Sequence, residues 1–332
     1  MATTNFMLQN WSSETYRSSI PTVENCPLNI THTVTILQKV TSISTFFFGV
    51  LGNIYVLVMF FRRPRTDWTY MNVYITNMAI ADCALLVFLP FKIHYYDKEL
   101  DEKLKGLCNF VLWVNYVNTY VSILTVTAIS VVRYVAVKYP MRAKTVFSCR
   151  RSLVVCALIW LFVCSLGFLY FLKDSNNDKT MCFQRVKKSL SLHFVLLLSV
   201  VGFLLPFLVM LYCSVRVIYT LRQRLNIGAR SKKIQCMFII ATNLIVFVIC
   251  FFPVHLGYLI KLVAENNHMR KYSCAEKLAA HNFLHAATCI SSMNCGLDCF
   301  IYFFATKTSW TMCCTKKNEK EEAECNYNEV GD

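Results

Sequence analysis

The sequence predicts an all-α membrane protein, a bundle of seven transmembrane helices followed by a short amphipathic eighth helix. Three observations carry this. Only 16% of the 332 residues are charged and 56% are hydrophobic, where a soluble domain carries roughly a quarter charged residues. Seven long apolar stretches follow one another, at about 34–61, 71–96, 109–132, 152–172, 190–221, 234–264 and 278–304. Each is long enough to cross a hydrocarbon core, which takes about 20 helical residues. Basic residues gather in alternate connections between the stretches. In lipid the backbone must satisfy its own hydrogen bonds, so these segments are helices and not strands.

The stretches divide the chain into three regions. Residues 1–32 form a polar extracellular segment, 33–304 the seven-helix domain, and 305–332 the amphipathic helix and cytoplasmic tail. The formal net charge of +15 does not point to nucleic acid, because of where it sits. Arg62, Arg63 and Arg65 follow the first stretch. Lys138, Arg142, Lys144, Arg150 and Arg151 join the third to the fourth, and Arg222, Arg224, Arg230, Lys232 and Lys233 the fifth to the sixth. The intervening loops are mixed, as in Asp97-Lys98-Glu99-Leu100-Asp101-Glu102. Positive residues mark the cytoplasmic side, so the N-terminus is expected outside and the C-terminus inside a plasma membrane. Met1–Asn29 lacks the basic start and apolar core of a cleaved signal peptide, so the first span is expected to direct insertion. Two sequons there, Asn10-Trp11-Ser12 and Asn29-Ile30-Thr31, make Asn10 and Asn29 glycosylation candidates. Of the 17 cysteines, Cys26, Cys108, Cys182 and Cys274 fall on the oxidising side. Four cysteines allow three pairings. Cys156, Cys164 and Cys250 read as small apolar core residues.

The third stretch presents Asn115, Thr119, Ser122, Val126, Ile129 and Arg133 at helical steps. From Asn115 to Arg133 is about 27 Å of helix. One helix therefore reaches both an outer pocket and the cytoplasmic mouth, as coupling between two sites requires. An arginine at that mouth is costly unless function keeps it there. Around the outer half stand Lys92, His94, Lys173, Arg185, His193, His255, Lys261, His281 and His285. Lys92 lies only two residues past Pro90, which restricts its snorkelling outward. Lys92, His255 and Tyr116 are predicted to hold an acidic headgroup. Trp113, Tyr116, Tyr120, Phe251 and Tyr258 suit the apolar part of such a pocket. The predicted ligand set is Lys92, Asn115, Tyr116, Thr119, Tyr120, His255, Tyr258, Lys261 and His285.

Asp82 is a second expensive residue, costing at least ~2.5–3.5 kcal/mol at mid-membrane unless paired or hydrated. Asn53, Ser122, Asn294 and Asp298 supply oxygens on neighbouring faces, a set suited to an allosteric sodium ion. A network of buried water without an ion is the alternative. No other metal or cofactor is expected. Phe247 and Phe251 stack beneath a kink at Pro253. Past Tyr302, Lys307–Cys314 reads as the amphipathic helix, with Cys313 and Cys314 as palmitoylation candidates. The acidic tail after it reads as disordered, and its few serines and threonines limit arrestin recruitment through it.

Several motifs recur in order: Gly52-Asn53, Asn77-Met78-Ala79-Ile80-Ala81-Asp82, Pro90, Ala128-Ile129-Ser130-Val131-Val132-Arg133-Tyr134, Trp160, Pro206, Cys250-Phe251-Phe252-Pro253 and Asp298-Cys299-Phe300-Ile301-Tyr302. Together they resemble the rhodopsin-like (class A) G-protein-coupled receptors over about residues 35–314. The resemblance implies a heterotrimeric G protein as partner, with arrestin as a further one. It implies disulfides Cys108–Cys182 and Cys26–Cys274. It also implies a switch of Arg133, Tyr134, Phe247, Phe251, Pro253 and Tyr302. Val132 departs from it, because that family has Asp or Glu there to restrain the arginine. Raised basal signalling, lowered by Val132→Asp, is the expectation. Ser214 stands where many members have a tyrosine, so part of that polar latch is missing. Asn115 replaces the aspartate of amine receptors, which argues against a cationic amine ligand.

Finer likeness, in Trp68-Thr69, Tyr74-Ile75-Thr76-Asn77, Val248–Gly257 and Asn294–Asp298, resembles one branch of the family. That branch holds a kynurenate- and lysophosphatidate-responsive orphan receptor and the lysophosphatidylinositol receptor. It too lacks proline after the seventh-helix aspartate, so Cys299 is a branch trait. The kynurenate-responsive member has an arginine where this chain has Thr119, so its ligand does not transfer.

The expected function is a receptor for an extracellular anionic lipid, lysophospholipid-like, or for a small carboxylate. A chemokine-like peptide is the second choice and a nucleotide the third. An enzyme is not expected, since His281 and His285 have metal-ligand spacing without an evident third ligand. A transporter would show inverted repeats or broken helices, and a retinal protein a lysine in the seventh helix, where residues 278–304 carry none.

Overall fold

The computed structural model describes residues 30–62, 64, 68–98, 101–172, 183, 192–223, 230–265 and 272–299. Asn10, Asn29, Cys26, Cys182, Lys173, Arg185, Tyr302, Cys313, Cys314 and the expected amphipathic helix lie outside them. Every regular element among the described residues is helical. In chain order these are α1 (His32–Phe61), α2 (Tyr70–Tyr95), α3 (Lys105–Lys138), α4 (Pro140–Val146), α5 (Cys149–Leu172), α6 (Leu192–Ser199), α7 (Leu205–Gln223), α8 (Arg230–Glu265) and α9 (Cys274–Ser292). Beyond a turn at Met293, residues 294–299 are again helical. A wide π-turn, Val200–Leu204, joins α6 to α7 into one span.

Local chemistry sets several of these boundaries. Thr69 caps α2 by accepting from the Asn72 amide, which satisfies one of the helix's orphan donors. Ser273 and Glu276 close a capping box at the start of α9. Pro140 opens the short α4, a helix not foreseen in the basic loop, where its missing N–H costs nothing. The π-turn precedes Pro206, whose ring would collide with the carbonyl four residues back in a regular α-helix. The Leu205 amide instead reaches the Val200 carbonyl.

Six spans are long and apolar enough to cross a membrane. The seventh, α9, starts earlier than its apolar stretch, takes in Glu276 and Lys277, and turns His281 and Ser291 inward. Packing places it in the ring all the same. α1 packs on α2 and α9, α2 on α3 and α5, α3 on α5 and α7, α7 on α8, and α8 on α9. The ring therefore closes, and α3 lies against three neighbours. Asn77 ties three helices together: its amide donates to Thr125 Oγ1 of α3 at 3.0 Å, and its carbonyl accepts from Trp160 Nε1 of α5 at 2.8 Å. The outward faces stay apolar, with Phe47, Leu51, Leu161 and Phe238 exposed. That suits a lipid surround.

Candidate ligand cavity and switch

The C-terminal parts of α2, α8 and α9 and the N-terminal parts of α1 and α3, together with α6, surround a cavity of about 200 Å³, with Phe183 in its wall. Every member of the predicted ligand set lines it: Lys92, Asn115, Tyr116, Thr119, Tyr120, His255, Tyr258, Lys261 and His285. Lys92 is 6% exposed and has no hydrogen bond or carboxylate partner among the described residues. A buried charge without a partner is unstable unless something supplies one.

Other lysines and histidines expected around the outer half fall elsewhere or are already engaged. His94 and His193 are exposed, and His94 Nε2 lies 3.3 Å from the Lys98 ammonium. His255 is not a free cation. Its Nδ1 lies 2.8 Å from the Phe251 carbonyl, which only accepts, so this nitrogen carries the proton. In the neutral ring Nε2 accepts from the Tyr120 hydroxyl at 3.3 Å. His285 faces the Tyr96 hydroxyl through Nδ1 at 3.2 Å. Of the expected aromatic lining, Trp113 packs on Phe110 and Phe251 on Phe247, so neither lines the cavity.

Residues that sequence reading missed include Gln38, Tyr96, Phe194, Leu198, Thr288 and Ser291. Gln38 is 2% exposed, donates to Ser42 Oγ at 3.4 Å and accepts from the Cys289 thiol. A lone glutamine inside an apolar helix is the signal that marks it.

Below the cavity, Asp82 is 1% exposed, and Asn53, Ser122, Asn294 and Asp298 are all buried. Asp82 Oδ1 accepts from Asn118 Nδ2 at 2.9 Å. Asn118 was missed, although it stands one turn before Ser122. Asn294 Nδ2 donates to Asp298 Oδ2 at 2.6 Å, while Asn53 donates to the carbonyls of Gly49 and Cys295. Asp82 Oδ2 and Ser122 Oγ are buried with no hydrogen-bond partner among the described residues. Buried oxygens of this kind fit a hard cation or an ordered water. No group of three or more His, Cys, Asp or Glu side chains fit to hold a metal occurs among the described residues. His281 and His285, with rings 4.6 Å apart, thus gain no third ligand there.

At the opposite end of α3, Val132 is 3% exposed and belongs to the main core with Tyr74, Ile75, Met78 and Ile129. Arg133 beside it is half-buried. Tyr134 accepts from Lys138 Nζ at 2.9 Å and packs on Tyr212, rings 5.8 Å apart. Between the two ends runs an aromatic column. Phe203, set by the π-turn, stacks on His255 at 4.5 Å and on Phe247 at 5.8 Å, and Phe247 meets Phe251 edge-on at 5.2 Å beside Pro253. Cys108 and Cys274 each take part in a disulfide, and the expected partners Cys182 and Cys26 lie outside the described residues.

The family model described as "7 transmembrane receptor (rhodopsin family)" matches residues 52–302. The chain is similar to the G-protein coupled receptor 55 of Mus musculus, 30% identical over 307 residues that cover 87% of this chain and 92% of that one. It is similar to the G-protein coupled receptor 35 of Homo sapiens, 34% identical with 78% and 80% covered. It is also similar to the lysophosphatidic acid receptor 4 of Homo sapiens, 31% identical with 79% and 72% covered.

Proposed function

Because the chain belongs to the rhodopsin family of seven-transmembrane receptors, we propose that its cavity takes an extracellular anionic ligand, a lysophospholipid-like lipid or a small carboxylate. The protein is a multi-pass membrane receptor that signals through G proteins, and it is not an enzyme. One observation carries the ligand class: the buried Lys92 ammonium, without a carboxylate partner among the described residues, in a cavity walled largely by apolar and aromatic side chains. The name of one relative, a lysophosphatidic acid receptor, points to the same chemistry. An anion at Lys92 supplies the missing partner and gains a charge-assisted hydrogen bond.

The path to the G protein follows from the packing. A ligand that presses on Tyr120 acts on His255, and His255 rests on Phe203 and the Phe247–Phe251 pair beside the Pro253 hinge. Arg133, Tyr134 and Tyr302 form the cytoplasmic switch in this reading, and sodium at Asp82 and Ser122 favours the resting state. The N-terminus lies outside at the plasma membrane, Asn10 and Asn29 carry glycans, Cys313 and Cys314 carry palmitate, and arrestin is a further partner.

The test is a G-protein activation screen of acidic lipids and metabolites in cells, with Lys92→Ala beside the wild type. A response lost in the variant, at matched surface expression, supports the reading. Responses that survive Lys92→Ala unchanged overturn the headgroup assignment. Deleting residues 2–25 while keeping Cys26 separates the peptide alternative, since a peptide response should vanish and an acid response persist.

A further inference from the structure

Two tyrosines organise the charge at the end of the bundle that carries Arg133. Tyr134 of α3 and Tyr212 of α7 touch, their rings 5.8 Å apart. These helices belong to the third and fifth spans, and alternate spans run in the same direction. Lys138 and Arg216 each stand four residues further on, one turn beyond the tyrosine on the same helix face. An ammonium and a guanidinium are thus set side by side, about 6 Å past the paired rings. Lys138 also lies over the Tyr139 ring, 5.0 Å from its centroid, and Arg142 of α4 over the same ring at 5.7 Å. Tyr139 meets Tyr134 edge-on, rings 6.4 Å apart. Three cations from three helices are gathered around three tyrosines.

Among the described residues no carboxylate pairs with Lys138, Arg142 or Arg216. Nor does any described acid stand at this end. Asp82 and Asp298 are buried in the middle of the bundle, and the others, such as Asp97, Asp101 and Glu276, lie at the outer end. Lys138 gives one of its three donors to the Tyr134 hydroxyl, while Arg142 and Arg216 are exposed. Arg151 differs, since it donates to the Thr145 and Val146 carbonyls at 2.8 and 2.6 Å and fastens the end of α4. Like charges held together by helix packing repel one another, so the cluster calls for an anion. Its surroundings indicate which one. Tyr139, Met141 and Tyr212 are exposed, and exposed tyrosines sit at the level of lipid headgroups. The inner leaflet there is anionic. A headgroup of one net charge leaves most of the cluster uncompensated. A phosphorylated inositol brings several charges, and its phosphate oxygens match the donor forks of Arg142 and Arg216.

We propose that Lys138, Arg142 and Arg216 form a binding site for the headgroup of an inner-leaflet phosphoinositide, which bridges α3, α4 and α7 while its acyl chains lie along the apolar outward face of α7. The site stands at the opposite end of the bundle from the ligand cavity and is independent of what that cavity takes. It rests on the reading that this end is cytoplasmic.

Nanodiscs test it, because they offer both leaflets to the receptor and so do not depend on which end is cytoplasmic. The purified full-length chain is placed in phosphatidylcholine discs with phosphatidylinositol bisphosphate or with phosphatidylserine, matched in total headgroup charge. Lipid retained on the receptor is then measured by native mass spectrometry. The bisphosphate should be retained in preference to phosphatidylserine. Arg142→Gln and Arg216→Gln should each weaken its retention about fivefold, the share of one cation beside an anionic surface, and the double variant should lose more than either. Arg62→Gln removes a cation at the end of α1, which packs on α2 and α9 away from the cluster, and should leave retention within about twofold. Equal retention of the two lipids, or equal loss in Arg62→Gln and Arg142→Gln, would show only a general attraction to the membrane surface and overturns the site. If the full-length chain retains no bisphosphate until residues 316–332 are deleted, the acidic segment 319–324 is the occupant and the proposal falls. A melting transition in pure phosphatidylcholine shows that each variant is folded.

Discussion

Tyr120 and His255 meet at the wall of the cavity, hydroxyl to Nε2 at 3.3 Å, and so join α3 to α8 two residues beyond Pro253. The bond has a fixed direction, since the other ring nitrogen is committed to the Phe251 carbonyl. Both residues line the cavity, and His255 also stacks on Phe203.

Removing the hydroxyl in Tyr120→Phe leaves a buried acceptor unpaired. Inside a bilayer such bonds contribute about 0.6 kcal/mol on average and at most ~1.7. A double-mutant cycle of Tyr120→Phe and His255→Ala, followed by thermal unfolding in lipid, should return a coupling of that size. Additive effects would show that the two residues do not interact.

Gly52 packs against Cys299. A Cβ at position 52 would overlap the cysteine side chain, so Gly52→Ala should destabilise by about 1–3 kcal/mol, as overpacking does. Cys299→Gly in the same chain should recover part of the loss. If the double variant unfolds no later than Gly52→Ala alone, the clash is not the cause.

The unpaired Asp82 Oδ2 and Ser122 Oγ predict stabilisation by sodium. At a hundredfold excess over its Kd a bound ion adds about 2.7 kcal/mol. Exchanging potassium for sodium should raise the melting temperature of the wild type and leave Asp82→Asn unmoved. An equal rise in both would point to a general salt effect.

Val132 lacks the charge to hold Arg133, so basal signalling should exceed that of Val132→Asp by an amount equivalent to about 1 kcal/mol. The structure adds a condition. Position 132 is buried in the core, so the aspartate also costs stability, and the comparison must be made per receptor at the cell surface. Equal normalised basal signals would refute the missing restraint.

Asp97 accepts from Lys39 Nζ at 2.7 Å, and that hydrogen bond holds its carboxyl below the usual aspartate range. A depressed folded value means that the contribution is complete above the unfolded value of about 3.9 and is lost as pH falls through the folded one. Both side chains are more than a third exposed, so the pair contributes no more than ~1 kcal/mol. Wild type and Asp97→Asn should differ by that little at pH 7, stay unchanged down to about pH 5, and converge below about pH 4 in unfolding measurements.

The spans were legible because a bilayer demands length and apolarity, and both are local properties of a segment. The stretch expected at 71–96 is the helix Tyr70–Tyr95, and that at 34–61 is His32–Phe61. The short α4 and the π-turn were not legible. One depends on how Pro140 meets the end of α3, and the other on how the chain relieves Pro206 within a continuous span. The cavity residues were legible as polar or aromatic side chains on inward faces. Gln38 and Ser291 were not, because their value lies in which neighbours leave them bonded or free.

By itself, then, the sequence determined the seven-helix class, the alternation of charge across the membrane, and a costly lysine, aspartate and arginine, each at one level of one helix. Only the tertiary structure decided which of these costs is met inside the protein. It gives Asp82 the amide of Asn118, sets His255 as a bridge between the Tyr120 hydroxyl and the Phe251 carbonyl, and buries Lys92 where no described carboxylate reaches it. Burial and hydrogen bonding belong to pairs of helices distant in the chain. A periodicity within one helix tells which face is inward, and the partner helix tells what that face meets.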